Sequence, residues 1–354
     1  MSAGFQGPMR LYSQTIARQK GLSRFGLDKM RESRVDRNVH SLASKRRKTN
    51  LIERMISSNS DFIPSEPPPS FAGTPVFKDL EFSRGKSKEA QQRNGDPKAV
   101  FVVTGASRGI GCQYVKALLE RTNGRIVACC RSPLTNDLKD YLDSNPHYQD
   151  RVTLTQLDLR NQDTIDKLAN VIETDFEGRL DGLFNVAGLL GDGGSTTPGP
   201  ERTASNLDRS WITTSFEVNT IGPMMMCQAL MPYLKVPVRS DRPKSIVVNM
   251  SARVGSISDN GLGGWYSYRA SKAALNQFTR TFALEVTKRN QTWVIALHPG
   301  TTNTGLSKPF QKNVKPGKLF PVEFTVNQLL NLVDTMEEHH SGGFYDWAGK
   351  ALPF

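Results

Sequence analysis

The sequence predicts an α/β protein with a doubly wound parallel β-sheet, and two distant segments carry this prediction. The apolar run AVFVV at residues 99–103 is typical of a strand buried on both faces of a parallel sheet. The glycine-rich segment TGASRGIG follows it directly, at residues 104–111. Far downstream, the segment YRASK at residues 268–272 spaces a tyrosine and a lysine by one helical turn.

The glycine-rich segment predicts a phosphate-binding turn. Gly105, Gly109 and Gly111 allow the backbone to bend sharply and to approach a pyrophosphate. A helix over about residues 110–120 then directs its free N–H groups at that anion. An ordinary strand-to-helix turn is the alternative, because the spacing is GxxxGxG rather than GxGxxG. The strand before the glycines and the helix after them favour the dinucleotide-binding interpretation.

The residue after the second predicted strand indicates which dinucleotide is bound. That strand covers residues 125–130, and Arg131 stands where an NAD-binding unit places an acidic residue on the ribose. A guanidinium binds the 2′-phosphate of NADP through charge-assisted contacts, whereas a carboxylate repels it. Arg108 is placed to hold the same phosphate. We therefore predict NADP(H) as the cofactor; two solvated surface charges are the alternative.

Tyr268 and Lys272 predict acid–base chemistry. At a spacing of i and i+4 they share one helix face, and an ammonium beside a phenol is expected to lower the phenol pKa from its usual value near ~10. Such a tyrosine can donate a proton to a carbonyl oxygen while the nicotinamide supplies hydride. A pair on the solvent-exposed face of a helix is the alternative.

Further motifs make the chain resemble the short-chain dehydrogenase/reductase family from about residue 99 to the C-terminus: LDL at 157–159, NVAG at 185–188, VNT at 218–220 and PGTTNT at 299–304. The resemblance implies one Rossmann-type domain with a sheet of about seven strands. It also implies that Asn219 holds a relay water beside Lys272. The further cofactor-binding residues that it implies are Thr104, Ser107, Arg108, Ile110, Asp158 at the adenine, Asn185, Ala187, Gly188, Tyr268, Lys272, and Pro299, Gly300 and Thr304 at the nicotinamide.

One position departs from the family pattern. The family serine lies three residues before a glycine, which here places Ala252 before Gly255, and Ser251 is one residue early. A shift of one residue on a strand reverses the side chain, so Ser251 reaches the substrate only if the strand has ended or bulged. A serine that caps the strand end is the alternative. The segments GSISDNGLGGWYSYRASKAALN, LSKPFQ and SGGFYDWAGKALPF resemble the C-factor type of carbonyl reductase, which implies that Ala252 is a trait of that group.

The charge distribution divides the chain of 354 residues into three predicted parts. Residues 97–354 supply the catalytic domain, residues 61–96 a flexible linker, and residues 1–60 a basic extension with 13 Lys/Arg against 4 Asp/Glu. An arginine-rich, acid-poor terminal segment favours a mitochondrial or plastid transit peptide. The alternatives are a nuclear or anion-binding signal at KRRK, residues 45–48, and a solvated disordered tail in a cytoplasmic protein.

Residue spacing and composition limit the kinds of partner that the protein is expected to bind. The four cysteines lack the spacing of disulfides or metal ligands, no apolar run is long enough for a membrane span, and no aromatic residue accompanies the basic cluster as a nucleic-acid site requires. A substrate pocket is expected between residues 189–208, 255–266 and 301–320, with Trp265 and Tyr266 as an aromatic wall beside Tyr268. We predict reduction of a small aldehyde or ketone. The alternative is a weakly active or inactive NADP-binding or signalling protein. The resemblance also implies a homodimer or homotetramer.

Overall fold

A computed structural model describes residues 85–132 and 136–354 and shows one seven-stranded sheet in which all pairs are parallel. The strands of the sheet are β1 (Val100–Thr104), β2 (Arg125–Cys130), β3 (Val152–Gln156), β4 (Gly182–Asn185), β5 (Ser245–Met250), β6 (Thr292–His298) and β9 (Phe344–Asp346), with a separate short pair of β7 (Thr301–Thr302) and β8 (Leu319–Phe320). Across the sheet they lie in the order β3-β2-β1-β4-β5-β6-β9. The doubly wound α/β fold predicted from the sequence is therefore confirmed.

The helices connect the strands and cover the sheet. The helices are α1 (Lys88–Gly95), α2 (Gly109–Arg121), α3 (Asn136–Ser144), α4 (Gln162–Asp175), α5 (Arg209–Phe216), α6 (Gly222–Leu234), α7 (Tyr266–Arg289) and α8 (Val322–Thr335). A π-helical turn, Glu217–Ile221, lies between α5 and α6. The core buries the apolar sides of the helices against strands whose side chains are mostly buried, as a parallel sheet covered on both faces requires. The edge strand β3 is the exception, since none of its residues is fully buried.

The strand order places a binding crevice between β1 and β4. The chain runs outward from β1 through β2 to β3 and then returns to β4 on the other side of β1. This reversal opens a crevice at the carboxyl ends of the two strands, which is where ligands bind in open α/β sheets. Both segments that carried the sequence prediction reach this edge, because the glycine-rich turn follows β1 and Lys272 bonds to the end of β5.

The predicted linker is wrong in its last part, because Lys88–Gly95 forms helix α1. The Ser87 side chain caps this helix by accepting from Ala90 N, and Ser87 N donates to Asp334 O at 2.7 Å. Arg93 is only 1% exposed and donates to Lys244 O. The polar sequence concealed this packing, since α1 is anchored by polar side chains rather than by an apolar stripe. Residues 1–84, with the predicted extension and the rest of the linker, lie outside the described residues.

The structure bears on two expectations from the sequence, one about disulfide bonds and one about membrane-spanning helices. All four cysteines are buried and form no disulfide, and burial raises their pKa values. Among residues 85–132 and 136–354, no helix combines the length and the apolar character needed to cross a membrane.

Candidate active site

The glycine-rich turn folds back on itself as the sequence predicted. Gly105 and Gly109 have φ values of +69° and +56°, which side-chain-bearing residues rarely adopt. A Cβ atom on Gly111 would lie 2.2 Å from the carbonyl oxygen of Gly105, so only glycine fits the first turn of α2. The N-cap residue, Arg108, makes no capping bond with its side chain. The turn therefore presents the N-terminus of α2 to an anion in the crevice.

Thr104 joins the ends of β1 and β4. It is fully buried, and its Oγ1 accepts hydrogen bonds from Val186 N at 3.0 Å and Ala187 N at 3.1 Å. Because backbone N–H groups make both bonds, this junction does not depend on the side chain of Val186. Asn185 points into the core instead, where its Nδ2 donates to Asn249 Oδ1 at 2.9 Å. Thr104 and Asn185 therefore shape the floor of the crevice.

Asn219 and Lys272 lie together beside Gly188. A Cβ atom on Gly188 would lie 3.3 Å from Asn219 Oδ1 and 3.8 Å from Lys272 Nζ. The Asn219 side chain exchanges two hydrogen bonds of 2.8 Å with the backbone of Leu189 and occupies the π-helical turn before α6. These contacts hold the loop after β4 close to α7. The structure thus brings together the two residues to which the resemblance assigned the proton relay.

Tyr268 and Lys272 lie one turn apart on α7, as predicted. Lys272 is 2% exposed, its Nζ donates to Met250 O at 2.8 Å, and Nζ lies 5.8 Å from the centroid of the Tyr268 ring. The sequence analysis expected Lys272 to lower the pKa of Tyr268. This expectation is wrong, because burial raises that pKa. Burial also lowers the pKa of Lys272 to about 7. Desolvation disfavours both charged forms and outweighs the attraction expected from the spacing.

The lowered pKa of Lys272 predicts a pH-dependent stability. An unfolded lysine titrates near ~10.4, so between about pH 7 and about pH 10 the unfolded chain binds more protons than the folded chain. The free energy of unfolding therefore gains a contribution that rises with pH in this window, and Lys272→Met removes it. We expect the parent to gain stability relative to Lys272→Met as the pH is raised, measured by urea unfolding at several pH values. Parallel pH dependences of the two proteins would contradict the assignment.

Ser251 directly follows β5, which ends at Met250, and its backbone N donates to Leu297 O at 2.8 Å. The strand has therefore ended before Ser251, as the predicted substrate contact requires. The side chain is 2% exposed, and its Oγ donates to Asn276 Oδ1 at 2.5 Å. This hydrogen bond disfavours the predicted substrate contact, because the hydroxyl proton joins the end of β5 to α7. Ala252, the next residue, has no hydroxyl to replace it.

The two arginines predicted to select NADP lie on the exposed side of the crevice. Arg131 directly follows β2, and Arg108 lies in the glycine-rich turn after β1. Arg131 also contributes to the lowered pKa of Asp158, after the larger effect of hydrogen bonds from Arg160. Asp158 accepts from the guanidinium of Arg160 at 2.8 and 3.1 Å, a partner that the sequence analysis missed. A basic residue two positions after the aspartate was the available signal.

The loop after β6 packs against the glycine-rich turn. Gly300 has a φ of +72°, and a Cβ atom there would lie 2.6 Å from the Phe320 ring. Thr304 Cγ2 lies 3.4 Å from the Cβ position of Gly109, so the segments predicted to hold the pyrophosphate and the nicotinamide are in contact. His298, before Pro299, has its pKa lowered to about 3, mainly by burial, and stays neutral.

Comparison with known proteins identifies the class. The model of the short chain dehydrogenase family matches residues 99–315, and the chain belongs to this family. C-signal of Myxococcus xanthus is 28% identical over 50% of this chain and 94% of its own. The NADPH-bound carbonyl reductase from chicken fatty liver is 28% identical over 73% of this chain and 99% of its own, with a TM-score of 0.63. The carbonyl reductase Sniffer of Drosophila melanogaster is 26% identical, with the same coverage and a TM-score of 0.62. The predicted resemblance is confirmed, and the protein is an oxidoreductase of this family.

Proposed function

We propose that the protein reduces a small aldehyde or ketone to an alcohol with NADPH, with Tyr268 as the general acid. One observation carries this proposal: Tyr268, Lys272 and Asn219 converge beside a glycine-rich turn at the carboxyl edge of the sheet. The similarity to an NADPH-bound carbonyl reductase supports the same cofactor and reaction class.

The residues of the crevice fit a dinucleotide. Gly111 lets the first turn of α2 pack directly on the Gly105 carbonyl, and the N-terminus of α2 has no side-chain cap. The pyrophosphate is assigned to this turn, the adenosine phosphate to Arg108 and Arg131, and the nicotinamide to the loop that contains Pro299 and Gly300. When bound, NADPH supplies the hydride for the carbonyl carbon.

Side chains of the protein then transfer the proton. Because burial raises the pKa of Tyr268, the phenol stays protonated near neutral pH and is available as a donor. Negative charge develops on the carbonyl oxygen as hydride reaches the carbon, and Tyr268 Oη donates its proton to that oxygen. Lys272 titrates near pH 7 and is placed to return a proton, with Asn219 as the polar group beside it.

The alanine at position 252 favours one alternative function. Without a serine hydroxyl at this position, the carbonyl oxygen has no second hydrogen-bond donor beside Tyr268, and the loss of one such donor costs about 10²-fold or more in rate. Ser251 offers no replacement because its hydroxyl bonds to Asn276. A protein that binds NADP without turnover is therefore the second candidate.

The proposed function is tested by following NADPH oxidation in the presence of a panel of aldehydes, ketones and quinones. We expect turnover of at least one panel member, slower than that of a reductase with the serine. Tight NADPH binding without oxidation by any member would favour the second candidate, and no NADPH binding would contradict both.

Arg131 provides a separate test of the cofactor. We expect Arg131→Ala to raise the Kd for NADPH about 10- to 100-fold, because charge-assisted contacts to the 2′-phosphate are lost. The Kd for NADH should change little, since NADH has no phosphate at that position. Fluorescence titration with both nucleotides measures the difference, and Arg125→Ala, at the opposite end of β2, serves as the control. An equal effect of Arg131→Ala on both nucleotides would contradict the assignment.

A further inference from the structure

The loop after β4 is organised by one carboxylate. Asp192 accepts backbone hydrogen bonds from Gly194, Ser195, Thr196 and Thr197 at 2.9–3.2 Å, and also bonds to the hydroxyl of Thr196. These bonds lower the pKa of Asp192. The loop, residues 189–208, therefore holds its own shape, and a second feature is needed to attach it to the catalytic helix.

Glu201 makes that attachment. It is 3% exposed, although most residues around it in the loop are exposed. Its backbone oxygen accepts from Trp265 N at 2.5 Å, and its Oε2 accepts from Ser267 N at 3.2 Å. The second bond satisfies an N–H group in the first turn of α7, where a carboxylate is also favoured by the helix dipole. Among the described residues, Glu201 Oε1 has no hydrogen-bond partner, so the carboxylate is held at this helix end alone.

The two residues bonded to Glu201 lie at the end of an unusual backbone corner and just after it. Gly263, Gly264 and Trp265 have consecutive φ values of +65°, +66° and +54° before α7 begins. Glycine adopts this region freely, but a tryptophan there costs of order ~1 kcal/mol and persists only where its surroundings enforce it. The hydrogen bond from Trp265 N to the backbone oxygen of Glu201 holds this conformation, and the bond from Ser267 N to the Glu201 side chain keeps that backbone oxygen in place.

The left-handed corner determines where the Trp265 ring lies. Its centroid is 6.3 Å from that of Tyr268, with an interplanar angle of 73°, and 5.4 Å from that of Phe310. Both separations lie within the range of favourable aromatic pairs. The ring thus contacts the tyrosine and a residue of the loop after β6. Its position depends on the backbone conformation that Glu201 fixes.

We propose that Glu201 is a positioning residue that holds Tyr268 in its productive orientation through Trp265 and the first turn of α7. This inference rests on the proposed function, because it assigns Tyr268 the proton transfer. Glu201 acts by geometry: it fixes the start of the helix that carries the tyrosine and fixes the aromatic ring against which the tyrosine packs. It also couples the loop after β4, expected to contact substrate, to the group that donates the proton.

The test compares Glu201→Ala with Glu201→Gln, which keeps an acceptor oxygen for Ser267 N. We expect Glu201→Ala to lower kcat roughly 10- to 100-fold, because small misplacements of reacting groups have effects of this size. Glu201→Gln should restore kcat to within about threefold, since a neutral acceptor preserves most of the bond to the helix. The Kd for NADPH should be the same in both variants. Glu323→Ala, an exposed glutamate in the first turn of α8, is the matched control and should match the parent.

A variant of Trp265 covers the case in which Glu201→Ala fails to fold. Trp265→Gly keeps the left-handed corner without strain but removes the ring, and we expect a loss of kcat similar to that of Glu201→Ala. Because both residues act through the same backbone corner, the fold-loss of kcat in the double variant should be smaller than the product of the fold-losses in the two single variants. If Glu201→Ala folds poorly, Trp265→Gly alone tests the proposal. An unchanged kcat in that variant would overturn it.

The outcomes separate this inference from the proposed function. Unchanged kcat in Glu201→Ala with a lowered melting temperature would show a purely structural role and overturn the inference. Failure of Glu201→Gln to restore kcat would also overturn it, since the hydrogen bond would then not be the cause. Absence of Tyr268-dependent turnover in the parent would overturn the proposed function, and the inference with it.

Discussion

Tyr268→Phe should lower kcat by about 10²- to 10⁴-fold, the range that general acid catalysis contributes in enzymes. The substitution removes the only atom of this side chain that can donate a proton and leaves the ring in place. Its packing against Trp265 is therefore kept, and so is the position of Lys272, whose hydrogen bond goes to Met250 rather than to the phenol. We expect the Kd for NADPH and the melting temperature to stay close to those of the parent.

The neighbouring tyrosine provides the control for this substitution. Tyr266 begins the same helix and is 41% exposed, so Tyr266→Phe removes an equivalent hydroxyl at the surface. Steady-state rates of NADPH oxidation with one accepted carbonyl measure both variants. A Tyr268→Phe protein as active as Tyr266→Phe would remove Tyr268 from the mechanism.

Gly111→Ala should have the second large effect, on cofactor binding and on stability together. The added methyl group would lie 2.2 Å from Gly105 O and 2.6 Å from Gly105 C, and backbone atoms cannot rotate away as a side chain can. Relief requires the turn to open, which displaces the N–H groups that face the pyrophosphate. We expect the free energy of unfolding to fall by about 1–3 kcal/mol or more, as for overpacked sites, and the Kd for NADPH to rise at least tenfold.

A glycine with open space around it is the control for Gly111→Ala. Gly95 ends α1, and a Cβ atom there would meet nothing within 4 Å. Gly95→Ala should therefore change neither stability nor NADPH binding by a comparable amount, as measured by urea unfolding and fluorescence titration. Equal behaviour of the two alanine variants would contradict the assigned turn geometry.

The sequence predicted those parts of the site that depend on local backbone rules. The glycines of the first turn and the i, i+4 pair on α7 lie where predicted, because a sharp turn and one helical turn are properties of neighbouring residues. The departure at Ala252 was also visible in the sequence. The structure supplied the fact that bears on Ser251, the hydrogen bond from its Oγ to Asn276 Oδ1, which spacing along the chain does not show.

Features set by burial could not be predicted from spacing. The pKa of Tyr268 is raised rather than lowered, because desolvation depends on everything packed around the hydroxyl. Helix α1 was assigned to a linker, because its polar residues pack against Lys244 and Asp334, which are distant in the sequence. Glu201 was missed for the same reason: only the fold brings it to the start of α7.

Transfer of deuterium from labelled NADPH to the product is the most direct test of the central claim. The full chain is incubated with NADPH that carries deuterium in place of both hydrogens of the reactive nicotinamide carbon and with each carbonyl that supports oxidation, and the alcohol is analysed by mass spectrometry. We predict one deuterium on the carbinol carbon, formed by the parent and nearly absent with Tyr268→Phe. Bound but unconsumed cofactor, or an alcohol without deuterium, would contradict the assignment of this protein as a carbonyl reductase.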